Sequence, residues 1–432
     1  MLDIRFVREN ADLVQAAAEH KGYDVDVKTT LGLDDKRRQL QTKVDDLRTK
    51  KNQNASDLKG GKPTKDQIEA GKRIKAELAK LEDELKAAAD DFERQFKLIP
   101  NLPETDVPLG KSEDDNQVAK TIGDKPEFDF KPKNHAELAE ARGWLDKERA
   151  AKVAGARFAY LKGDLVKLQL AIVQLVIDQL TDEAVLQNIA DKAGLNVSSK
   201  PFTPVLPPLM IKTAPYDMMD RLEPSDDRYK IEGEELWLQG SAEHVLGSMH
   251  AGEIFEEADL PLRYLGYATS FRKEAGTYGK DMEGIIRMHQ FDKLEMESFT
   301  TKETSRDEHL FFIAIQEHLL GLLDLPYQVL LKCTADIGKP NARGVDMEVW
   351  LPGQDKYRET HTADYMTDYQ SRRLNTRVRR QSGELELVHT NDATAFALGR
   401  IMVAVLENYQ TAGGKVEIPV ALKPYLAGRD QL

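Results

Sequence analysis

The sequence predicts an α+β protein, an antiparallel-sheet domain preceded by an N-terminal antiparallel helical coiled-coil arm. Three observations carry this expectation. From about residue 33 to 96 the chain is rich in Lys, Glu, Asp, Ala and Leu, with no aromatic residue before Phe92. From Phe202 to Glu407 short β-branched and aromatic runs succeed one another with few helical interruptions, the pattern of hairpins with helices at the margins. Within that region two such runs flank Thr277, Tyr278, Gly279, Lys280 and Asp281, which reads as a long hairpin carrying charged side chains on one face.

In chain order, Leu33, Leu40, Val44 and Leu47, and then Ile74, Leu78, Leu81, Leu85, Ala88 and Phe92, follow coiled-coil spacings. Gly60, Gly61, Lys62 and Pro63 break the helix between them and permit a reversal. At about 1.5 Å per residue each helix extends roughly 40 Å, too long for so narrow a seam to sit in a compact core, so the pair projects as an arm over about 33–98. Between Asp34 and Lys51 seven basic residues face four acidic ones, a local +3 that suits either a solvated coiled coil or an RNA-facing surface. Ile99-Pro-Asn-Leu-Pro, Pro108, Gly110 and Asp114-Asp115-Asn116 read as a linker and place the domain boundary near 110.

Helical patterns follow over 134–145 and 163–192. Phe202-Thr-Pro-Val-Leu-Pro-Pro reads as a strand ending at Pro207-Pro208, suited to a sheet edge or an interface because proline donates nothing to a ladder. Strands are expected over 236–238, 264–271, 284–299, 327–333 and 345–351, with helices over 305–323 and 393–409.

Composition narrows the function classes. At 432 residues, with 41% hydrophobic and 31% charged residues, the chain suits a globular protein of two or more domains. The single cysteine, Cys333, excludes an intramolecular disulfide and a cysteine-cluster zinc site, and reads as a small buried hydrophobe. Met-Leu-Asp-Ile-Arg-Phe at the start does not read as a signal peptide. The longest apolar stretch, 165–180, is interrupted by Lys167, Gln169, Gln174 and Asp178, so no membrane span is expected and the cytoplasm is the expected compartment. A net charge of −13 confines any RNA contact to a local basic surface. The phosphate-binding patterns of dinucleotide folds and P-loops do not occur.

The hairpin is the candidate site. Residues two apart share a strand face, so Arg272 and Glu274 can line one wall and His289, Phe291, Lys293 and Glu295 its neighbour. A guanidinium holds phosphate or carboxylate through two parallel hydrogen bonds, Phe stacks on a base, and Glu pairs with an ammonium group. The competing reading is a solvated charged face.

With these residues in view, the chain resembles the seryl-tRNA synthetases, class II aminoacyl-tRNA synthetases, over essentially its whole length. The helical arm with its Ile99-Pro-Asn-Leu-Pro exit looks like the family's tRNA-binding arm, and Val205-Leu-Pro-Pro looks like motif 1. Phe271-Arg-Lys-Glu through His289-Gln-Phe-Asp-Lys-Leu-Glu looks like motif 2, and the run from Ala393 to Arg400 looks like motif 3. The resemblance implies a class II synthetase catalytic domain over 111–432, and a tRNA-binding domain over 1–110. It implies ATP-dependent activation of L-serine to seryl-adenylate and transfer to the 3′ end of tRNA(Ser), and of tRNA(Sec) where present. ATP and Mg²⁺ would serve, with no zinc, in a homodimer joined around Pro207.

Carried over residue by residue, the resemblance assigns catalytic roles to Arg272, Glu359 and Arg400. ATP would meet Arg272, Lys273, Glu274, Arg287, Met288, Phe291, Glu359, Thr360, His361, Thr362 and Arg400, with Phe291 and Arg400 sandwiching the adenine. Serine would lie among Ser241, Ala242, Glu243, Arg272, Glu295 and Thr394, and Glu359 with Thr362 would hold Mg²⁺. Read without the resemblance, Arg400 could be a snorkelling arginine, Glu359 an exposed strand residue and Thr394 a hydroxyl at a helix N-terminus. His289 and His361 tempt as catalysts, yet structural roles suit them better.

The pattern departs from the family at Ser241-Ala-Glu-His, at Thr360-His-Thr-Ala-Asp-Tyr, where Asp364 adds a charge, and at Asn391-Asp-Ala-Thr-Ala-Phe. Two other functions compete: an amino-acid-activating enzyme with a non-tRNA acceptor, and a non-catalytic RNA-binding paralogue. The arm argues against the first, and the presence of Arg272, Glu359 and Arg400 against the second.

Overall fold

A computed structural model describes residues 1–57, 64–274 and 284–432. The helix-breaking run at Gly60, Gly61, Lys62 and Pro63, and the hairpin turn at Thr277, Tyr278, Gly279, Lys280 and Asp281, lie outside the described residues. The chain forms two compact units, Met1–Leu102 and Pro103–Leu432.

The first unit is helical. Two short helices, α1 (Ile4–Glu9) and α2 (Ala11–His20), precede α3 (Val27–Asp57) and α4 (Lys65–Phe96), of 31 and 32 residues. At 1.5 Å per residue these reach about 46 to 48 Å. The seam is where the spacing puts it: Val44, Leu47 and Leu78 are buried, with Leu81 and Leu85 packed against them. Arg48 bridges to Glu82 on the facing helix at 2.8 Å. A capping box starts α4, in which Thr64 Oγ1 accepts from Gln67 N–H and the Gln67 side chain accepts from Thr64 N–H. Phe92 and Phe96 stack at the far end with 5.0 Å between ring centroids.

Among its described residues the second unit has one three-stranded and two two-stranded sheets beside one eight-stranded main sheet. The strands of the main sheet are β1 (Gln117–Ile122), β2 (Thr203–Val205), β3 (Leu262–Phe271), β4 (Gln290–Thr300), β5 (Tyr327–Leu331), β6 (Arg343–Leu351), β7 (Lys356–Thr367) and β8 (His389–Ala397). In space they run β1-β5-β6-β7-β8-β4-β3-β2. All pairs are antiparallel except β2 with β3. Strand β2 holds Pro204 and occupies an edge, where a missing N–H costs no ladder bond.

Helices α5 (His135–Ala141), α6 (Asp164–Leu180), α7 (Glu183–Ala193), α8 (Ala242–Ser248), α9 (Ser305–Leu322) and α10 (Leu398–Asn408) complete the elements that matter for the site. Buried residues of α6, α9 and α10, including Leu168, Ile172, Phe312, Ile315, Ile401 and Val405, form one core with Leu294 and Met296 of β4, Met347 of β6 and Ala363 of β7. Because strand side chains alternate, Phe291, Lys293 and Glu295 turn the other way. One face of the sheet is therefore core, and the other carries charge. No helix among the described residues is long and apolar enough to cross a membrane.

Several expected elements differ. The helical pattern over 163–192 is two helices, because Asp182 caps a new start by accepting from Ala184 N–H at 2.8 Å and Val185 N–H at 3.2 Å. Residues 393–397 are strand and not helix: β8 pairs on both sides, with β7 and β4, so its backbone groups are satisfied by neighbours distant in sequence. Thr394 is thus not a helix N-terminal hydroxyl. Residues 284–289 precede β4 without joining it, and β1 arises where no strand was expected. Strand β1 is almost wholly exposed, so it has no alternating pattern to betray it.

Candidate active site

A cavity of about 280 Å³ opens on the charged face of the sheet. Arg272 and Glu274, just past the end of β3, form part of its rim, and the segment 285–288 with Phe291 and Lys293 forms another side. Glu359, Thr360 and Thr362 from β7, and Thr394, Ala397, Gly399 and Arg400 from β8 and α10, close it.

Two β-bulges make this arrangement possible. Glu359 and Thr362 are three apart, as are Thr394 and Ala397, and on a regular strand each pair would split between the two faces. In β7 the register skips from Met347↔His361 to Glu348↔Glu359, leaving Thr360 as the extra residue. In β8 it skips from Thr394↔Glu295 to Phe396↔Leu294, leaving Ala395 extra. Each inserted residue reverses the alternation, so both pairs face the cavity. Gln316 from α9 locks the two strands together, its Nε2 donating to the carbonyls of Thr362 and Thr394 at 2.8 Å each.

The cationic groups are held in place. Arg272 Nε donates to Gly240 O at 2.9 Å, and its guanidinium carbon lies 5.5 Å from the Phe291 ring centroid. Arg287 pairs with Glu274. Arg400 Nη1 donates to Glu359 O at 2.8 Å and lies 3.2 Å from Glu359 Oε2. Enclosure by the wall would raise the Glu359 pKa, but Arg400, followed by Lys332, outweighs it and holds the carboxyl at about 2. Glu359 is therefore anionic, with its side chain 49% exposed toward the cavity.

Joined to the lining residue Lys293 is a buried, carboxylate-rich cluster. Ser241 Oγ donates to Glu295 Oε2 at 3.0 Å, and Lys293 Nζ lies 2.5 Å from the same oxygen. Oxygens of Glu243, Glu295 and Asp392 come within 4.8 Å of one another, all three residues being buried. Arg221 lies among them, with Nε 3.0 Å from Glu243 Oε1 and Nη2 3.3 Å from Asp392 Oδ2. Burial and the Glu243 charge push Glu295 up while Lys293 pulls it down, with a net rise. Glu243 is held well below its ordinary value because Arg221 overcomes the burial penalty. Glu295 Oε1 and Asp392 Oδ1 are buried without a hydrogen-bond partner. Such an arrangement can receive a small cationic group and a hydroxyl.

Not every residue expected at the site reaches the cavity. His361 is fully buried on the opposite face, 5.2 Å from the Phe396 ring centroid, because the Thr360 bulge turns it there. Burial lowers its pKa to about 3, so it is neutral and structural. Ala242 packs with Leu246 and Ala268. Lys273 leans on Tyr229, with Nζ 5.7 Å from the ring centroid, and its N–H donates to Asp227 O at 3.0 Å. His289 sits between Phe158 and Tyr229, with its Nδ1 3.0 Å from Arg272 O, so it supports the rim and does not line it.

Conversely, Arg221, Asp392 and Asp227 were not singled out in the sequence, and Lys293 was placed on the wall without a role. For Asp392 the departure from the motif 3 pattern was a usable signal. For Arg221 none existed, since its partners lie at Glu243, Asp364 and Asp392.

Comparison with known proteins agrees with this geometry. Residues 1–103 match the seryl-tRNA synthetase N-terminal domain, and residues 227–409 match the tRNA synthetase class II core domain (G, H, P, S and T). The serine–tRNA ligase of Symbiobacterium thermophilum is 38% identical, over 98% of each chain. That of Geotalea uraniireducens is 38% identical over the full length of both. Among solved structures, seryl-tRNA synthetase from Pyrococcus horikoshii complexed with ATP superposes with a TM-score of 0.88 at 35% identity, covering 100% of this chain and 99% of that one. With both domains matched in order and full-length relatives above one third identity, the chain belongs to the seryl-tRNA synthetase family.

Proposed function

We propose that the protein activates L-serine with ATP to give seryl-adenylate and pyrophosphate, then transfers the seryl group to the 3′ end of tRNA(Ser). The observation that carries this reading is a cavity lined by arginines and an anionic Glu359, one of whose lining residues, Lys293, contacts the buried Ser241–Glu295 pair.

Adenylate formation is attack of the serine carboxylate on the α-phosphorus, and the carboxylate is already a nucleophile, so no general base is needed. The side chains have to neutralise charge and align the reactants. Arg272 holds the α-phosphate and the serine carboxylate. Phe291 and Arg400 enclose the adenine, which Glu274 and the backbone at Met288 read at its edge, while Arg287 lies near the outer phosphates. Glu295 pairs with the serine ammonium and hydroxyl, assisted by Ser241, Glu243 and Thr394. A substrate without the hydroxyl leaves buried polar groups unpaired, at about 1 to 3 kcal/mol for each lost bond.

Glu359 and Thr362 suit Mg²⁺: both are oxygen donors on the cavity face, and Thr362 Oγ1 has no hydrogen-bond partner. When bound there, Mg²⁺ would neutralise phosphate charge. Residues 1–110 form the tRNA-binding domain and 111–432 the catalytic domain. The working state is a cytoplasmic homodimer joined around Pro207, beside which Leu206 is 81% exposed.

Amino-acid-dependent exchange of pyrophosphate into ATP, run against a full set of amino acids and followed by charging of tRNA(Ser), tests the reading. Serine alone should support strong exchange, and exchange with another amino acid only would overturn it.

A further inference from the structure

Behind the cavity, one buried histidine ties distant segments to the backbone that lines it. His135 is 3% exposed and Glu407, on α10, is fully buried. Glu407 Oε1 accepts from the His135 backbone N–H at 3.0 Å and from its Nδ1 at 2.9 Å, while Oε2 accepts from Gly353 N–H at 2.9 Å. With Nδ1 donating, Nε2 offers a lone pair, and it accepts the Ile285 N–H at 3.2 Å.

The grip is close. Gly284 has φ +62°, and a Cβ on it would stand 1.7 Å from His135 Nε2. On the other side, a Cβ on Gly399 would lie 3.2 Å from Ile285 O, so the peptide around Ile285 is held between α5 and the residue before Arg400. Residues 284–289 belong to no strand, and β4 begins only at Gln290, so no sheet ladder fixes this stretch. Yet Ile285, Ile286, Arg287 and Met288 line the cavity.

We propose that His135 is a positioning residue for the adenine subsite: through the Ile285 N–H it sets where the 285–288 backbone stands, and with it the affinity for ATP. This rests on the reading that ATP occupies the cavity. Glu407 orients the ring and keeps the accepting nitrogen turned toward Ile285.

The test uses the full-length protein in serine-dependent pyrophosphate exchange. His135→Phe fills the space without an acceptor, and His135→Gln places an amide oxygen near the former Nε2 position. His135→Phe should raise KM for ATP about tenfold with KM for serine within about twofold, the loss of one buried hydrogen bond, and His135→Gln should recover most of it. Parallel change in both KM values, a fall in kcat alone, or equal behaviour of the two variants would overturn the proposal. Should His135→Phe not fold, Glu407→Gln carries the test, with an ATP-selective rise of about threefold expected and an unselective change counting against it. A wild-type protein without ATP-dependent exchange sinks the functional reading itself, whereas an active wild type with unselective variants sinks only the role of His135.

Discussion

Lys293 Nζ lies 2.5 Å from Glu295 Oε2 and 3.3 Å from Ser241 Oγ, so the carboxylate proposed to receive the serine ammonium already holds an ammonium group of the protein. Serine must share or displace that contact. The first prediction concerns pH. Burial raises the Glu295 pKa and Lys293 opposes the rise, so Lys293→Met should move it further up. An ammonium pairs with the ionised carboxylate, present only above that pKa. The variant's KM for serine should therefore fall as pH rises through the shifted pKa, and should depend on pH more steeply than that of the wild type. Parallel profiles would contradict this.

Glu295→Ala should reduce serine-dependent exchange by at least about a hundredfold, since both the ammonium and the hydroxyl lose their partner. Thermal unfolding should shift down as well, because the buried Lys293 ammonium loses its partner, so exchange is compared at a temperature where the variant is folded by circular dichroism. Retained serine activation in this variant would rule out its role.

For Glu359→Gln, the Mg²⁺ concentration giving half-maximal exchange should rise about tenfold with KM for serine unchanged, because an amide is a far weaker ligand for a hard cation. An unaltered Mg²⁺ titration would place the metal elsewhere.

Acid stability depends on His309, which is fully buried, with Nε2 3.0 Å from Arg343 Nη1. Burial, then Arg343 and Arg306, hold its pKa well below the ordinary 6.5. The folded state thus refuses a proton that the unfolded chain accepts. Its contribution is present above pH 6.5 and is lost as pH falls, at about 1.4 kcal/mol per unit. His309→Gln, which keeps an acceptor for Arg343, should flatten the decline in Tm between pH 6.5 and 5. Equal slopes would count against the assignment.

A variant lacking residues 33–96 should retain serine-dependent pyrophosphate exchange within about threefold and lose tRNA charging by more than about a hundredfold, as expected when tRNA affinity resides mainly in one basic surface. Matching losses in both assays would mean that the arm is not a separable tRNA-binding element.

Much of the fold is legible because its signals are local. The seam of Val44, Leu47 and Leu78 follows helical spacing, and the edge position of β2 follows from Pro204 and Pro207. Local signals failed where the partner is distant. Residues 393–397 look helical until β4 and β7 claim them on both sides, and α6 and α7 look continuous until Asp182 caps the second. Of the residues that motif order singled out, Arg272, Arg287, Phe291, Glu359, Thr362 and Arg400 line one cavity whereas Lys273, His361 and Ala242 do not, and Arg221, Asp392 and His135 were not singled out.

By itself the sequence determined the helical arm, the succession of the three motifs and the residue types proposed to neutralise phosphate and receive serine, because these reside in short runs with their own periodicity. Only the tertiary structure decided which of those residues face the cavity. The bulges at Thr360 and Ala395 reverse strand alternation without any local mark, and the Arg221 and His135 contacts join positions far apart in the chain. Such pairings exist only once the sheet has brought their strands together.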